Sequence, residues 1–402
     1  MKVCLVSLNA LPALSEQHKY LYIGGAEVQL AQLAVALARL GHDVSLVVSD
    51  AGQDDGATYA GVRTIKAYKP DSGLPVLRFV HPRWTGLWSA MAKADAEVYL
   101  YSCSGMVLGL LAMFCRLHRR RLVYRVASDA DCDLKTVLIR SSRDRWLYRY
   151  GLQRADAILV QSNAQRMAIE KNFGRGSDVV RGLIEGPVHS SEELSKDIDV
   201  LWLANLRTLK RPDRFLDVAA SLPQYKFHIA GGPVPGEESC YRDTERRARS
   251  LANVTFHGKI PYLDVGRLFD RTKVFVNTSD VEGFPNTFLQ AWIRGVPVAT
   301  MFDPDSIVRR EGLGSTHDSV ADLVAGVNRL LESESAYAAA RAAALRHMRT
   351  KFDERSVLGP YLKALCGVEV VPQSHVANAL HASVSDSASV REEACAPDRH
   401  SR

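Results

Sequence analysis

The chain has little to offer the chemistry of disulfides, metals or redox cofactors. Its seven cysteines, Cys4, Cys103, Cys115, Cys132, Cys240, Cys366 and Cys395, are scattered, and none forms a C-x-x-C pair. An odd number of dispersed thiols without a secretory leader argues against a disulfide framework and fits reduced cysteines in a cytosol. Zinc sites need clustered ligands, and these are not clustered. No G-x-G-x-x-G follows a strand, so the fingerprint that a nicotinamide-dependent oxidoreductase would need is missing. Nor is charge of one sign in large excess. The net charge of +6 suits anionic partners such as nucleotide phosphates or an acidic membrane surface, and does not choose between them. No nucleic-acid recognition motif occurs.

Long hydrophobic runs are also scarce. Val98 to Cys115 is uncharged over eighteen residues, close to the length of a bilayer span. It contains Tyr99, Tyr101, Ser102, Ser104, Gly105 and Gly109, and divides into a strand, "EVYLYSCS", and a helix from Met106 to about Leu117. "MKVCLVSLNALPA" is interrupted by Ser7 and Asn9, which makes Lys2–Leu8 a first buried strand rather than a leader.

What is present is alternation. "KVCLVSL", "HDVSLVVS", "VRTIKAY", "EVYLYSC", "RLVYRVAS" and "AILVQS" read as apolar strands separated by helices. Leu30, Leu33, Ala34, Leu37 and Leu40 recur at helical spacing, and Gly41 stops that helix. The pattern breaks at about Arg181–Asp197, rich in Gly, Pro, Ser and charge, then restarts with "IDVLWLAN", "YKFHIAGG", "VTFHGKI", "KVFVNTS" and "VPVAT". Near-continuous apolar strands alternating with helices imply parallel sheets covered on both faces. At 402 residues the chain has room for two such units. The expected organisation is α/β, with two Rossmann-like parallel-sheet domains facing each other across a cleft. A first domain spans 1–188 and a second 189–350. A C-terminal helix over 351–366 packs back on the first domain, and a Ser/Ala-rich tail over 367–402 is expected to be disordered.

Three stretches carry candidate chemistry. In "SDVEGFPNTFLQAW", Ser279–Trp292, a strand end is followed by a turn and a short helix with Asn286 as its N-cap. Free N–H groups at such a helix start attract anions or sugar hydroxyls. Glu282 can accept from sugar hydroxyls, and Gln290, one turn into the helix, can reach a second polar moiety such as a ribose. The plain alternative is a solvated turn acid and a surface amide. "LANLRTLKRPDRF" offers Arg207 and Lys210, and "YIGGAEVQ" offers Gly24 and Gly25, where glycine lets backbone approach phosphates. A basic loop and an ordinary helix start are the plain alternatives.

"EGFPNTFLQAWIRGVPV" resembles the signature of the retaining GT-B glycosyltransferases of family GT4, the group 1 glycosyltransferases. The weaker stretches resemble that family in the same order along about 1–365. The resemblance implies a GT-B fold and transfer of a sugar from a nucleotide-sugar donor, UDP- or GDP-linked, to a glycan or lipid-linked acceptor. The pathway it implies is bacterial surface polysaccharide or glycolipid synthesis. Glu282 falls on the acid that contacts the donor sugar. Phe284, Asn286 and Thr287 fall in the stretch that helps hold sugar and phosphate. Gln290 stands where the family has a second, ribose-binding acid; the amide keeps an acceptor oxygen and adds a donor. Lys210 matches the family lysine that neutralises the diphosphate. Asn205 stands at the usual Arg, so Arg207 is expected to share that role. Asp129, in "YRVASDADCD", lies where many members carry a histidine near the reacting sugar. No metal or other cofactor is expected, since no Asp-x-Asp sits in a credible donor loop.

Trp146, Leu147 and Tyr148 are interleaved with Arg140, Arg143, Arg145 and Arg149. Such a helix either lies on an anionic membrane or is solvated with buried aromatics. The expected location is cytoplasmic, with peripheral contact at the cytoplasmic face of the membrane. The departures at Asn205, Gln290 and the missing histidine keep open a second class of function, a catalytically silent GT-B protein that binds sugar nucleotide or glycan within a larger complex.

Overall fold

The computed structural model describes residues 1–74, 77–184, 186, 188 and 196–367. Most of the linker expected at Arg181–Asp197, and the tail from 368 on, lie outside the described residues.

Two parallel sheets organise the chain. The first contains β1 (Lys2–Val6), β2 (Asp43–Val48), β3 (Thr58–Tyr59), β4 (Val62–Lys66), β5 (Val98–Ser102), β6 (Arg121–Arg125), β7 (Ala157–Val160) and β8 (Asp178–Val179). Their order is β3-β4-β2-β1-β5-β6-β7-β8, and only the β3–β4 pair is antiparallel. The second contains β9 (Ile198–Leu203), β10 (Phe227–Ala230), β11 (Val254–Gly258), β12 (Thr272–Asn277), β13 (Val298–Thr300) and β14 (Gly314–Thr316), ordered β11-β10-β9-β12-β13-β14. This is the expected α/β architecture of two facing Rossmann-like domains. In each sheet the order reverses beside the first strand, between β1 and β5 and between β9 and β12. Open α/β sheets bind ligands outside the carboxyl ends of the strands at such a reversal.

The central strands are largely apolar because both faces are covered. Along β1, Cys4 and Val6 join one helix-covered core while Val3 and Leu5 join the other, and all four are fully buried. Each such side chain contributes about 1.5–3 kcal/mol by leaving water. The uncharged run from Val98 resolves as β5 and the helix Met106–His118. No helix among the described residues is long and apolar enough to cross a membrane. The arginine-rich helix Ser142–Arg154 lies against that helix through its Leu147, Tyr148, Gly151 and Leu152. A Cβ on Gly109 would come 2.5 Å from the Leu147 carbonyl oxygen, and one on Gly151 would come 2.6 Å from Leu108, so the crossing requires glycine on both helices. Trp146 stays outside, 57% exposed.

The last helix, Glu354–Cys366, sits in the core of the first domain. Val357, Leu358, Tyr361, Ala364 and Leu365 belong to the apolar core under the first sheet, and the helix lies against β6 and β7. The Tyr361 hydroxyl accepts from Arg125 Nε at 3.1 Å and donates to the Arg181 carbonyl at 3.0 Å.

Candidate active site

The strand-end loops of both sheets meet around a cavity of about 750 Å³ between the domains. Ligand pockets of drug-sized molecules fall in this range.

On the second-domain side, the loops after β9 and β12 are tied to each other before they are tied to anything else. Trp202 Nε1 donates to Thr278 Oγ1 at 2.9 Å, and the Thr278 hydroxyl reaches the carbonyls of Lys210 and Arg211 at 2.9 and 2.8 Å. The Asp280 amide donates to the Leu209 carbonyl at 2.9 Å. This lacing brings Lys210 Nζ to Glu282 Oε2 at 2.5 Å, with the two side chains 18% and 14% exposed. The other oxygen, Oε1, accepts from Ser279 Oγ at 2.7 Å. A pair so shielded is screened by salt far less than a surface pair. Arg207 faces a different acid. Its Nε lies 2.9 Å from Glu237 Oε1, while Glu237 Oε2 accepts from the Thr208 amide at 2.7 Å. Burial pushes the Glu237 carboxyl up, but Arg207 and the Thr208 amide outweigh it and hold it below the ordinary range.

The short helix runs Asn286–Trp292 with Pro285 at the N-cap position, and no side chain caps it. The expected N-cap role of Asn286 is therefore corrected. Pro285, at φ −64°, already sets the entry of the helix. The Asn286 amide crosses the cleft instead and donates to the Gly25 carbonyl at 2.7 Å. Phe284 packs edge-on against Phe288 and Trp292 and also lines the cavity, as does Thr287. Gln290 is buried rather than on the helix surface, and it too lines the cavity. Its Oε1 has no hydrogen-bond partner among the described residues. A buried unpaired acceptor costs about 1–3 kcal/mol, which a donor in the cavity would recover.

The first-domain side is acidic. Glu27 turns back over its own helix start: a Cβ on Gly24 would meet Glu27 Oε2 at 2.5 Å. Gly24 thus makes room for a carboxylate, and Gly25 for the amide of Asn286. Asp131 closes a capping box with Ser128 and accepts from the amides of Ala127 and Ser128 at 3.2 and 3.0 Å. Burial pushes both Glu27 and Asp131 upward. Asp129 lines the cavity, and its Oδ1 accepts from Gln165 Nε2 at 2.8 Å. Burial drives its carboxyl up to about 6, against the pull of Gln165, and the charge of Glu282 adds to the rise. Across the cleft the Asp129 amide donates to the Glu282 carbonyl at 2.9 Å. A Cβ on Gly283 would clash with the Ala127 carbonyl oxygen, so the two walls touch where Glu282 and Asp129 meet.

Among the described residues, no group of three or more His, Cys, Asp or Glu side chains is placed to hold a metal ion. Several residues at the site carry no local signal in the sequence. Glu237 pairs with Arg207 across thirty residues. Gln165 orients Asp129. The Asp305 carboxylate accepts from the amides of Asn163 and Ala164, at 2.7 and 3.2 Å, at the start of a first-domain helix. Only the Ser162 and Asp303 neighbourhoods, each a polar residue ahead of a helix, hinted at those caps.

Residues 24–181 match the family model of the glycosyl transferase 4-like domain, and residues 188–347 match that of glycosyl transferases group 1. The chain belongs to the group 1 glycosyltransferases. Solved structures agree on the GT-B fold of this glycosyltransferase. Sucrose-phosphate synthase from Thermosynechococcus elongatus superposes with a TM-score of 0.71 at 17% identity, over 91% of this chain and 99% of that one. WaaG, a glycosyltransferase involved in lipopolysaccharide biosynthesis, gives 0.65 at 16%, over 90% and 98%. A point mutant of S. aureus TarM, in complex with fondaparinux, alpha-GlcNAc-glycerol and UDP, gives 0.58 at 15%, over 71% of this chain and 59% of that one. The glycosyltransferase described here thus spans about three fifths of TarM's length. No curated protein sequence matches it.

Proposed function

We propose that this glycosyltransferase is a retaining, GT4-type enzyme that moves a hexose from a UDP- or GDP-sugar to a glycan or lipid-linked acceptor. The observation that carries the reading is the asymmetry of the cavity. Arg207 and Lys210 lie with Glu282 and Gln290 on one wall, and Asp129 lies on the other.

In this reading the nucleotide sits on the second domain, with a ribose hydroxyl donating to Gln290 Oε1. Phe284, Asn286 and Thr287 frame the sugar and phosphate, beside Gly24 and Gly25. The C1–O bond to the diphosphate breaks, and a new bond forms from C1 to the acceptor oxygen on the same face. The acceptor proton passes to the departing diphosphate. Arg207 and Lys210 meet the charge that develops there, with no metal ion required. Each is already paired with a carboxylate, so the diphosphate exchanges places with Glu237 and Glu282. The exchange frees Glu282 to accept from a donor-sugar hydroxyl. Asp129, mostly protonated below about pH 6, contacts the reacting sugar or acceptor from the other side.

The acceptor reading is bacterial surface polysaccharide or glycolipid. Trp146, exposed and stacked on Tyr150 at 5.5 Å, and Arg143, 3.8 Å over the Phe79 ring, support peripheral docking on the cytoplasmic face of an anionic membrane. Cosedimentation with vesicles containing anionic lipid, lost in Trp146→Ala, tests that part.

Saturation-transfer NMR against UDP-, GDP-, ADP- and CMP-sugars, with Glu282→Ala as control, tests the core of the reading. Selective binding of one donor, lost in the variant, names the donor for acceptor screening. Binding without turnover on any acceptor would favour the silent-subunit reading, to which the departures at Asn205 and Gln290 also lend themselves.

A further inference from the structure

The segment Tyr20–Gly25 precedes the helix Gly25–Arg39 and forms no strand. Its backbone is gripped from the other domain. Asn205 Nδ2 donates to the Ile23 carbonyl at 2.8 Å, and Asn286 Nδ2 donates to the Gly25 carbonyl at 2.7 Å. Lys259 Nζ donates to the Tyr20 carbonyl. The three donors come from three separate loops of the second domain, after β9, after β11 and at the start of the helix Asn286–Trp292. All three line the interdomain cavity.

An ammonium and two carboxamides are the groups that a diphosphate or sugar would seek. Here peptide carbonyls occupy them. A carbonyl oxygen and a phosphate oxygen cannot share one N–H at full strength, so a donor substrate competes with this segment for the same hydrogens. Asn205 holds the segment at Ile23, whose carbonyl lies 182 residues away in sequence.

We propose that Tyr20–Gly25 is a gate over the donor pocket and that Asn205 is the positioning residue that fastens it. The proposal rests on reading the pocket as a nucleotide-sugar site. Binding of the nucleoside diphosphate takes over the donors of Asn205 and Lys259, and the Tyr20–Ile23 part of the gate is released while Gly24 and Gly25 stay beside the phosphates. Asn205 acts through the segment and contributes no charge to the leaving group, which is left to Arg207 and Lys210.

Hydrogen exchange of the peptide spanning residues 19–27 tests this in the full-length, ligand-free protein. Asn205→Ala and the isosteric Asn205→Asp each remove the donor to Ile23. Each should raise exchange there by several-fold to about tenfold, as loss of one hydrogen bond allows, while exchange in β1 and β9 stays unchanged. UDP added to the wild type should raise exchange in the same peptide. Unchanged exchange in both variants overturns the gate, as does protection of the peptide by UDP. If one variant fails to fold, the other still reads the segment. Faster exchange in the variants, with no UDP, GDP or ADP binding to any form, keeps the fastening but overturns the donor reading beneath it.

Discussion

The two walls of the cleft are built by different physics. On the second domain, opposite charges meet in pairs, Lys210 with Glu282 and Arg207 with Glu237, and each cation has a carboxylate that a substrate phosphate would displace. On the first domain, no ion pair is formed by Glu27, Asp129 or Asp131 among the described residues, and the Arg125 guanidinium on the same wall is bonded to Tyr361 and Gln161. Glu27, Asp129 and Asp131 are held by amides, a hydroxyl and a glutamine, and burial pushes all three upward. The first arrangement is suited to exchanging one anion for another. The second raises the cost of carrying charge on its carboxyl groups, which favours hydrogen bonds to uncharged hydroxyls.

The contrast can be broken at four places. Glu282→Ala should cost the most, about 10²–10³ in initial transfer rate, because it removes the sugar contact and leaves Lys210 without its partner. Radiolabelled donor turnover measures it, and a loss under about threefold would move the sugar contact elsewhere. Arg207→Ala should cost about tenfold to a hundredfold in kcat/KM. Glu237→Gln should do the reverse for binding, tightening UDP several-fold by calorimetry, since the phosphate no longer competes with a resident carboxylate.

Asp129→Asn probes the opposite wall. The carboxyl rises from an ordinary 3.8 to about 6 on folding, so the folded state holds the proton more tightly. Stability attached to that proton is complete below the unfolded value and is lost as pH rises through the folded one. The variant should therefore gain on the wild type between about pH 4 and 6, by at most about 3 kcal/mol, and hold that gain above. Parallel thermal melts across about pH 4–8 measure it; a difference independent of pH would refute the raised carboxyl. The smallest expected effect is that of chelation. EDTA should change transfer by less than about twofold if, as proposed, cationic side chains carry the charge of the leaving group.

The fold was legible because its signals are local and repeated. Strand alternation, the glycine stops and the break near Arg181 each lie within a short window. That Glu282 and Lys210 line the cleft was legible for a related reason: each lies in the loop after a strand the sequence makes obvious. What was not legible depends on partners that are distant in sequence. Asn286 looked like a cap because caps are local, yet its partner lies 261 residues away. Asn205 looked like a missing arginine, yet its amide is spent on a carbonyl 182 residues away. The rise at Asp129 comes from burial that only the assembled cleft provides, and no pattern around "SDADCD" announces it.

The placement of the last helix has a consequence for how the protein comes into being. Tyr361 accepts from Arg125 and donates to the Arg181 carbonyl, and its helix completes the apolar layer beneath β6 and β7. Synthesis delivers that helix only after the whole second domain has been made. A nascent chain that has released only its first domain therefore carries an unsealed layer and a buried-to-be guanidinium still in water. The half made first is the half finished last, and a truncation that spares every residue of the cleft but ends before Glu354 would leave the first domain unclosed.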